Sequence, residues 1–321
     1  MKRRELVLAA VAAGFGAGVN AQGSFPPAGM TIKYVVPFPP GGLTDVMARI
    51  VGRKLSETWK APVVVENKAG GNAQIGAEQV AKGAADGSQL LAITLTHAAN
   101  VSLFPDAPYS FMKDLRPVAL LAGSPMLVVV PATSPVKDYK DLVAASKTRE
   151  LNAGSSGNGT PPHLTMALFN DINKSKMTHV PYKGGAPSMT DLIGGQIDVI
   201  FSNFPESIAH VKSGKLRALA LCSAARHPQL PDVPTSAEAG MPGLLVENWT
   251  AVMIQSKTPD AIVDRYSREL IKILFTPEME ERARAQGFAL TPKGEDDFGR
   301  FLRSEVERWA RIIKTANITA S

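Results

Sequence analysis

Short β-branched runs alternate with amphipathic stretches along most of this 321-residue chain, and that alternation constrains its fold more than any other feature. Ile32 to Val36 precedes a helical pattern from Thr44 to Trp59; Val63 to Val65 precedes another near Gln74 to Lys82, and Leu90 to Ile93 follows. Strand and helix in such alternation predict βαβ units, a parallel sheet and an α/β fold. Met47, Ile50, Val51, Leu55 and Trp59 fall on one face of the first helix, the stripe needed to cover that sheet.

A second series starts after Leu121: Met126 to Val130, a helix near Tyr139 to Ser146, a Gly/Ser-rich loop, a helix after Pro162, Thr178 to Val180, then Thr190 to Ile193. Beyond Cys222 the chain turns irregular through Pro228, Pro231, Pro234 and Pro242. After Val252 to Ile254, three helices are expected. Thr258-Pro259 and Thr276-Pro277 read as cap plus first-turn proline, and Gly287 as a stop. The last helix carries Phe298, Leu302, Val306, Trp309 and Ile313 on one stripe and is expected to pack back on the first lobe. With 45% hydrophobic residues, the chain suits two domains of about 150 residues each. The predicted division is a first lobe of residues 22–122 plus 223–321 and a second of residues 123–222.

The first residues combine Lys2, Arg3 and Arg4 with an apolar run from Leu6 to Val19 and a small-residue end at Ala21. This is a secretory signal pattern, residues 1–21, cleaved after Ala21; Arg3-Arg4 leaves both the general and the twin-arginine export route open. Its removal takes three positive charges and one negative, so the net charge falls from +6 to +4. The remaining basic residues are scattered singly and aromatics make up only 6%, which argues against a nucleic-acid surface. The single cysteine, Cys222, lies in an apolar run and reads as core.

Pro37 to Asp45 (PFPPGGLTD) lies between the first strand and the first helix. Prolines stiffen the loop, two glycines permit tight turns, and the helix opens with unpaired N–H groups that favour an anion. The pattern recurs at Gly70-Gly71-Asn72, at Gly154 to Thr160 and at Gly184-Gly185. In parallel sheets, ligands lie outside the carboxyl ends of the strands, so these loops are expected to face one cleft between two lobes.

Four segments, PFPPGGLTD, VVVENKAGGNAQIGAEQVAKGAADG, GSSGNGTPPHL and VPYKGGAPSMTDLIGGQIDVIFSN, resemble the Bug family, the periplasmic solute receptors of tripartite tricarboxylate transporters. The resemblance runs from about Ile32 to the C-terminus. It implies a type II periplasmic-binding-protein fold, a carboxylate ligand, a periplasmic location and a membrane permease as partner. It points to Phe38, Gly41, Gly42 and Asp45 in the first loop, and to Asn72, Ala73 and Gln74 in the second, where Ala73 and Gln74 stand in place of the family's Gly and Asn. It further implies Thr94, Thr96 and His97 after the third strand. From the second lobe it adds Ser155, Ser156, Gly157, Thr160, Tyr182, Lys183 and Asn203.

Asp45 either caps the helix start or, as the resemblance implies for amino acid receptors, meets a ligand ammonium. Lys183 either neutralises a second carboxylate or sits in solvent. His97 and His163 read as structural, Asp191 and Asp198 as surface positions. No enzyme is expected. Asn158 spoils the nucleophile elbow that Gly154 to Gly157 begins to suggest, and His97, His163, His179, His210 and His227 lack the spacing of a zinc site. The expected receptor is a monomer with no cofactor and no metal. It closes by hinge motion and delivers its solute to a permease, or alternatively docks on a signalling partner.

Overall fold

The computed structural model describes residues 25–319, so the predicted signal segment lies outside the described residues. Its elements run β1 (Ile32–Val36), α1 (Leu43–Trp59), β2 (Val63–Asn67), α2 (Gln74–Ala81), β3 (Gln89–Thr94), α3 (Leu95–Leu103), α4 (Phe111–Asp114) and β4 (Leu115–Pro131). There follow α5 (Tyr139–Thr148), β5 (Asn152–Ser155), α6 (Pro161–Asn173), β6 (Thr178–Pro181), α7 (Gly185–Ile193), β7 (Val199–Asn203), α8 (Phe204–Lys212) and β8 (Leu216–Leu221). The chain ends with β9 (Glu247–Gln255), α9 (Asp260–Leu274), α10 (Pro277–Ala285), β10 (Ala289–Lys293) and α11 (Glu295–Thr315).

The strands are ordered β2-β1-β3-β9-β4-β7-β5-β6, with β8 and β10 also paired to β4. The flanks are parallel as expected, β1 with β2 and β3, and β5 with β6 and β7. The centre departs from the predicted parallel sheet. β9 lies antiparallel to β3 and β4, and β7, β8 and β10 lie antiparallel to β4. The cause is β4 itself, a 17-residue strand whose first part pairs β9 and whose last part, from Met126, pairs β7 and β8. One strand thus belongs to both halves of the molecule, and its register shifts near Pro117 and Leu120 bend it between them.

Each half has an apolar cluster of its own, and a further cluster that includes Val35, Leu91, Val128 and Phe169 runs through both. Met47, Val51 and Leu55 of α1 pack with Ile32, Tyr34 and Val36 of β1, as the stripe predicts. In the other half Leu127, Leu192, Ile200 and Phe204 form a separate cluster. The tail helix α11 returns to α3 and β4. Thr276 caps α10 by accepting from Met279 N–H, whereas α9 takes Pro259 itself as its N-cap, one residue later than predicted. Thr190 to Ile193 ends α7. β1, β2, β5 and β6 each end at one of the glycine-rich segments, while β3 and β7 run straight into α3 and α8, and residues from all six of these strand ends meet between the two halves.

Candidate functional site

The β1–α1 loop owes its shape to Gly41, left-handed at φ +84°, and to Asp45, which folds back beneath it. Asp45 is buried and accepts from Gly41 N–H, Arg49 Nε and Asn67 Nδ2, each at 2.9 Å. Burial pushes its pKa up, but Arg49, Gly41 and Asn67 together outweigh burial and leave the carboxyl below its ordinary value. Asn67 also donates to Phe38 O at 3.0 Å, so the cluster ties β2 to the loop. Asp45 and Gly41 thus brace the loop from behind and are not among the residues that wall either cavity, the arrangement expected of the helix-start role. Asp45→Ala should lower stability by about 2–3 kcal/mol, the scale of hydrogen bonds to a buried charge. Its loss should weaken carboxylates and amino acids alike. A switch in their relative affinity, read by calorimetry, would restore the ligand-contact role.

The loop before α2 holds four successive left-handed residues, Gly70, Gly71, Asn72 and Ala73, with φ of +127°, +54°, +53° and +70°. Glycine takes this conformation freely and Asn tolerates it, while alanine pays roughly 1–2 kcal/mol. Ala73 thus adopts the backbone path that a glycine would take more cheaply. A mutual amide pair holds the turn: Asn72 Nδ2 donates to Asn100 Oδ1 at 2.7 Å and Asn100 Nδ2 to Asn72 O at 2.8 Å.

After β3, Thr94 caps α3 by accepting from Thr96 N–H, while His97 Nδ1 accepts from Thr94 N–H at 3.1 Å. Thr94 and Thr96 line the cleft, and the buried Thr96 hydroxyl has no hydrogen-bond partner. His97 does not reach it. Its ring lies between Phe38 and Phe111 beside a separate recess with Asn100 and Phe104, and burial pushes its pKa down to about 3.

In the other half, Ser155 turns inward: its hydroxyl donates to Gly157 O and shares a 2.6 Å hydrogen bond with His179 Nε2. Thr160 Oγ1 donates to Gly157 O at 2.6 Å, and His163 Nδ1 accepts from Gly159 N–H at 3.0 Å. Ser156, Gly157 and Thr160 line the cleft, but Ser155 does not. Tyr182 and Lys183 line its outer part, with Tyr182 OH donating to Asp191 at 2.7 Å. Asn203 lines the inner part, where its Oδ1 accepts from Asn248 Nδ2 at 2.8 Å.

The cleft consists of two cavities that share Phe38, Pro39, Ser156, Thr160 and Gly184. The outer one is about 640 Å³ and is walled by Asn72, Ala73, Gln74, Gly157, Tyr182 and Lys183. The inner one is about 50 Å³, room for a head group. Among the described residues, the N-caps of five helices line it: Gly42, Thr94, Thr160, Gly184 and Asn203. Four of these, all but Thr94, form no side-chain cap, so the positive ends of α1, α6, α7 and α8 border the cavity, although Pro161, Pro162, Pro187 and Pro205 remove N–H groups from the last three and Leu43 N–H is taken by Glu206. The sequence did not single out Asn248 or Glu206, which also line it. Glu206 accepts from Leu43 N–H at 3.3 Å and from the Asn203 side chain; burial pushes its pKa up, against both of these bonds.

Comparison with known proteins follows the same lines. The model of the tripartite tricarboxylate transporter family receptor matches residues 47–318. Protein BugT of Bordetella pertussis is 36% identical over 287 residues, 88% of each chain. The solved structure of periplasmic binding protein BugD matches with a TM-score of 0.85 at 29% identity over 90% of this chain and 98% of its own. That of Rpa4515 from R. palustris with adipate matches with 0.87 at 33% identity, over 90% and 98%. Uncapped helix starts around an interlobe cleft, a two-lobed periplasmic-binding-protein fold and these matches lead to one assignment: the chain belongs to the tripartite tricarboxylate transporter receptor family, the Bug solute-binding proteins.

Proposed function

We propose that this receptor binds a small carboxylate in the periplasm by hinge closure and delivers it to a tripartite tricarboxylate-type permease. One observation carries the reading: uncapped helix starts from both halves meet at a cleft that also holds an unpartnered buried hydroxyl on Thr96 and, at its outer end, Lys183. Such starts attract a carboxylate through the helix dipole and free N–H groups. Adipate in Rpa4515, whose fold this chain shares, supports the same class. The hinge lies where the chain passes between lobes of residues 22–122 plus 223–321 and 123–222, in β4 and in the segment from Cys222 to β9. A solute touching both sides favours the closed form by its differential affinity.

The test is thermal unfolding of the mature protein with succinate, adipate, malate, citrate, aromatic carboxylates and acidic amino acids. A ligand at about 100 times its dissociation constant stabilises by about 2.7 kcal/mol. The melting temperature should then rise by several degrees. No response to any carboxylate, with a response to sugars instead, would defeat the proposal.

A further inference from the structure

Glu206 is the one ionisable side chain lining the inner cavity among the described residues; its other polar walls are the neutral Thr44, Thr94, Thr96, Ser156, Thr160 and the amides of Asn203 and Asn248. The outer cavity has the opposite character: among the described residues, Lys183 is its one charged wall residue. The contiguous cleft is therefore dipolar, with a basic end wide enough for the body of a solute and an acidic end that takes only a head group.

The carboxyl of Glu206 is held by two donors in a space that a glycine leaves open. Leu43 N–H of the opposite half donates to Oε1, Asn203 donates from the base of its own helix, and Gly185 leaves room beside it. A Cβ at Gly185 would stand 2.4 Å from Oε2, so the second glycine of the Gly184-Gly185 pair lets the carboxyl lie against the start of α7. A carboxylate offers about four acceptor positions, and two donors leave others open to the cavity. The helix starts around the inner cavity favour an anion, and an ionised Glu206 already supplies it, so a second anion placed there meets like charge in a confined, poorly solvated space, whereas an ammonium completes the pairing.

We propose that Glu206 sets the specificity of this cleft, selecting carboxylates that also carry an ammonium: the carboxylate lies toward Lys183 and the start of α2, the ammonium against Glu206. This rests on the carboxylate-receptor reading and narrows it to dipolar solutes.

Calorimetric titration of wild type and Glu206→Gln with glutarate, glutamate and 5-aminopentanoate tests it on one five-carbon skeleton at neutral pH. In wild type, at least one amino-bearing solute should bind tenfold or more tighter than glutarate. Gln keeps the length and an acceptor for Leu43 N–H but removes the charge, so it should abolish that preference. Glu206→Ser, which removes the carboxyl without adding bulk, should do the same. Glutarate binding wild type most tightly, or a preference left within twofold by both variants, overturns the role of Glu206. So does glutarate weakened by Glu206→Gln, which would mark a protonated Glu206 donating to a diacid. If wild type binds none of the three, nor any other carboxylate, the receptor reading itself fails and this one with it.

Discussion

Acidification from pH 7.5 to 5 should destabilise the protein by several kcal/mol, through three histidines that the fold holds neutral. Burial pushes the pKa values of His97 and His163 down to about 3, with the neighbouring His179 adding to the shift of His163, and burial pushes His179 down to about 4. The unfolded chain binds these protons near pH 6.5, the folded one only far below. Each group's stabilisation is therefore whole above about pH 6.5 and is lost as pH falls toward the folded value. By pH 5 this is about 2 kcal/mol each for His97 and His163, and less for the partly exposed His179. The loss bears on the site because His163 and His179 stack with centroids 3.9 Å apart and brace the Ser155–Thr160 loop through Gly159 N–H and Ser155 Oγ. Melting temperature and ligand affinity should thus fall together below pH 6.5. His163→Asn, which retains an acceptor for Gly159 without the titration, should flatten the slope. A melting temperature constant from pH 7.5 to 5 would refute the assignment.

The places where the sequence was readable and where it was not differ physically. Ile32 to Val36, the α1 stripe and the glycine-rich loops were legible because period and turn chemistry are local properties, and their convergence follows from the direction of parallel strands. β4 was legible only from Met126 onward. Pro117, Gly123 and Pro125 interrupt its first part, and such residues argue against a strand unless it bends or bulges, as this one does between the two halves. α3 and α8 follow β3 and β7 without a loop, so the apolar run crosses from strand to helix with no break to mark the change. β10 carries Pro292 and pairs with β4 alone, which hides it in the same way.

At the site, local pattern located the loops but not the direction of their side chains. Asp45, Ser155 and His97 belong to the right segments, yet each is consumed by the backbone it stabilises: Gly41 N–H, Gly157 and Thr94 N–H. Glu206 shows the converse. An acid in the first turn of a helix ordinarily answers the helix dipole, and nothing nearby in sequence marks it as more. Its partner Leu43 lies 163 residues away, so only the tertiary arrangement gives it a place in the cleft.

The largest single-residue effect is expected at Trp309, outside the cleft. Phe298, Leu302, Trp309 and Ile313 of α11 are buried in one cluster with Leu95, Ala98 and Ala99 of α3, the helix whose start supplies Thr94 and Thr96 to the inner cavity. A buried hydrogen bond fastens the same helix nearby: Trp249 Nε1 of β9 donates to Glu305 at 2.9 Å, while Arg308, partly exposed on α11 itself, meets the same carboxylate at 3.3 Å. Trp309 is wholly buried and is the largest of the fully buried side chains among the described residues. Trp309→Ala should cost about 3–5 kcal/mol, the transfer energy of the lost ring plus the cavity it leaves. For a chain of this size that lowers the melting temperature by roughly 6–12 °C. Phe275, 71% exposed, is the matched control, and Phe275→Ala should stay within about 0.5 kcal/mol. If the tail helix is part of the floor under α3, Trp309→Ala should also weaken carboxylate binding measured at 15 °C, where the variant remains folded. Full affinity at that temperature would mean that α11 contributes stability alone and that α3 is positioned by β3 and its own cap.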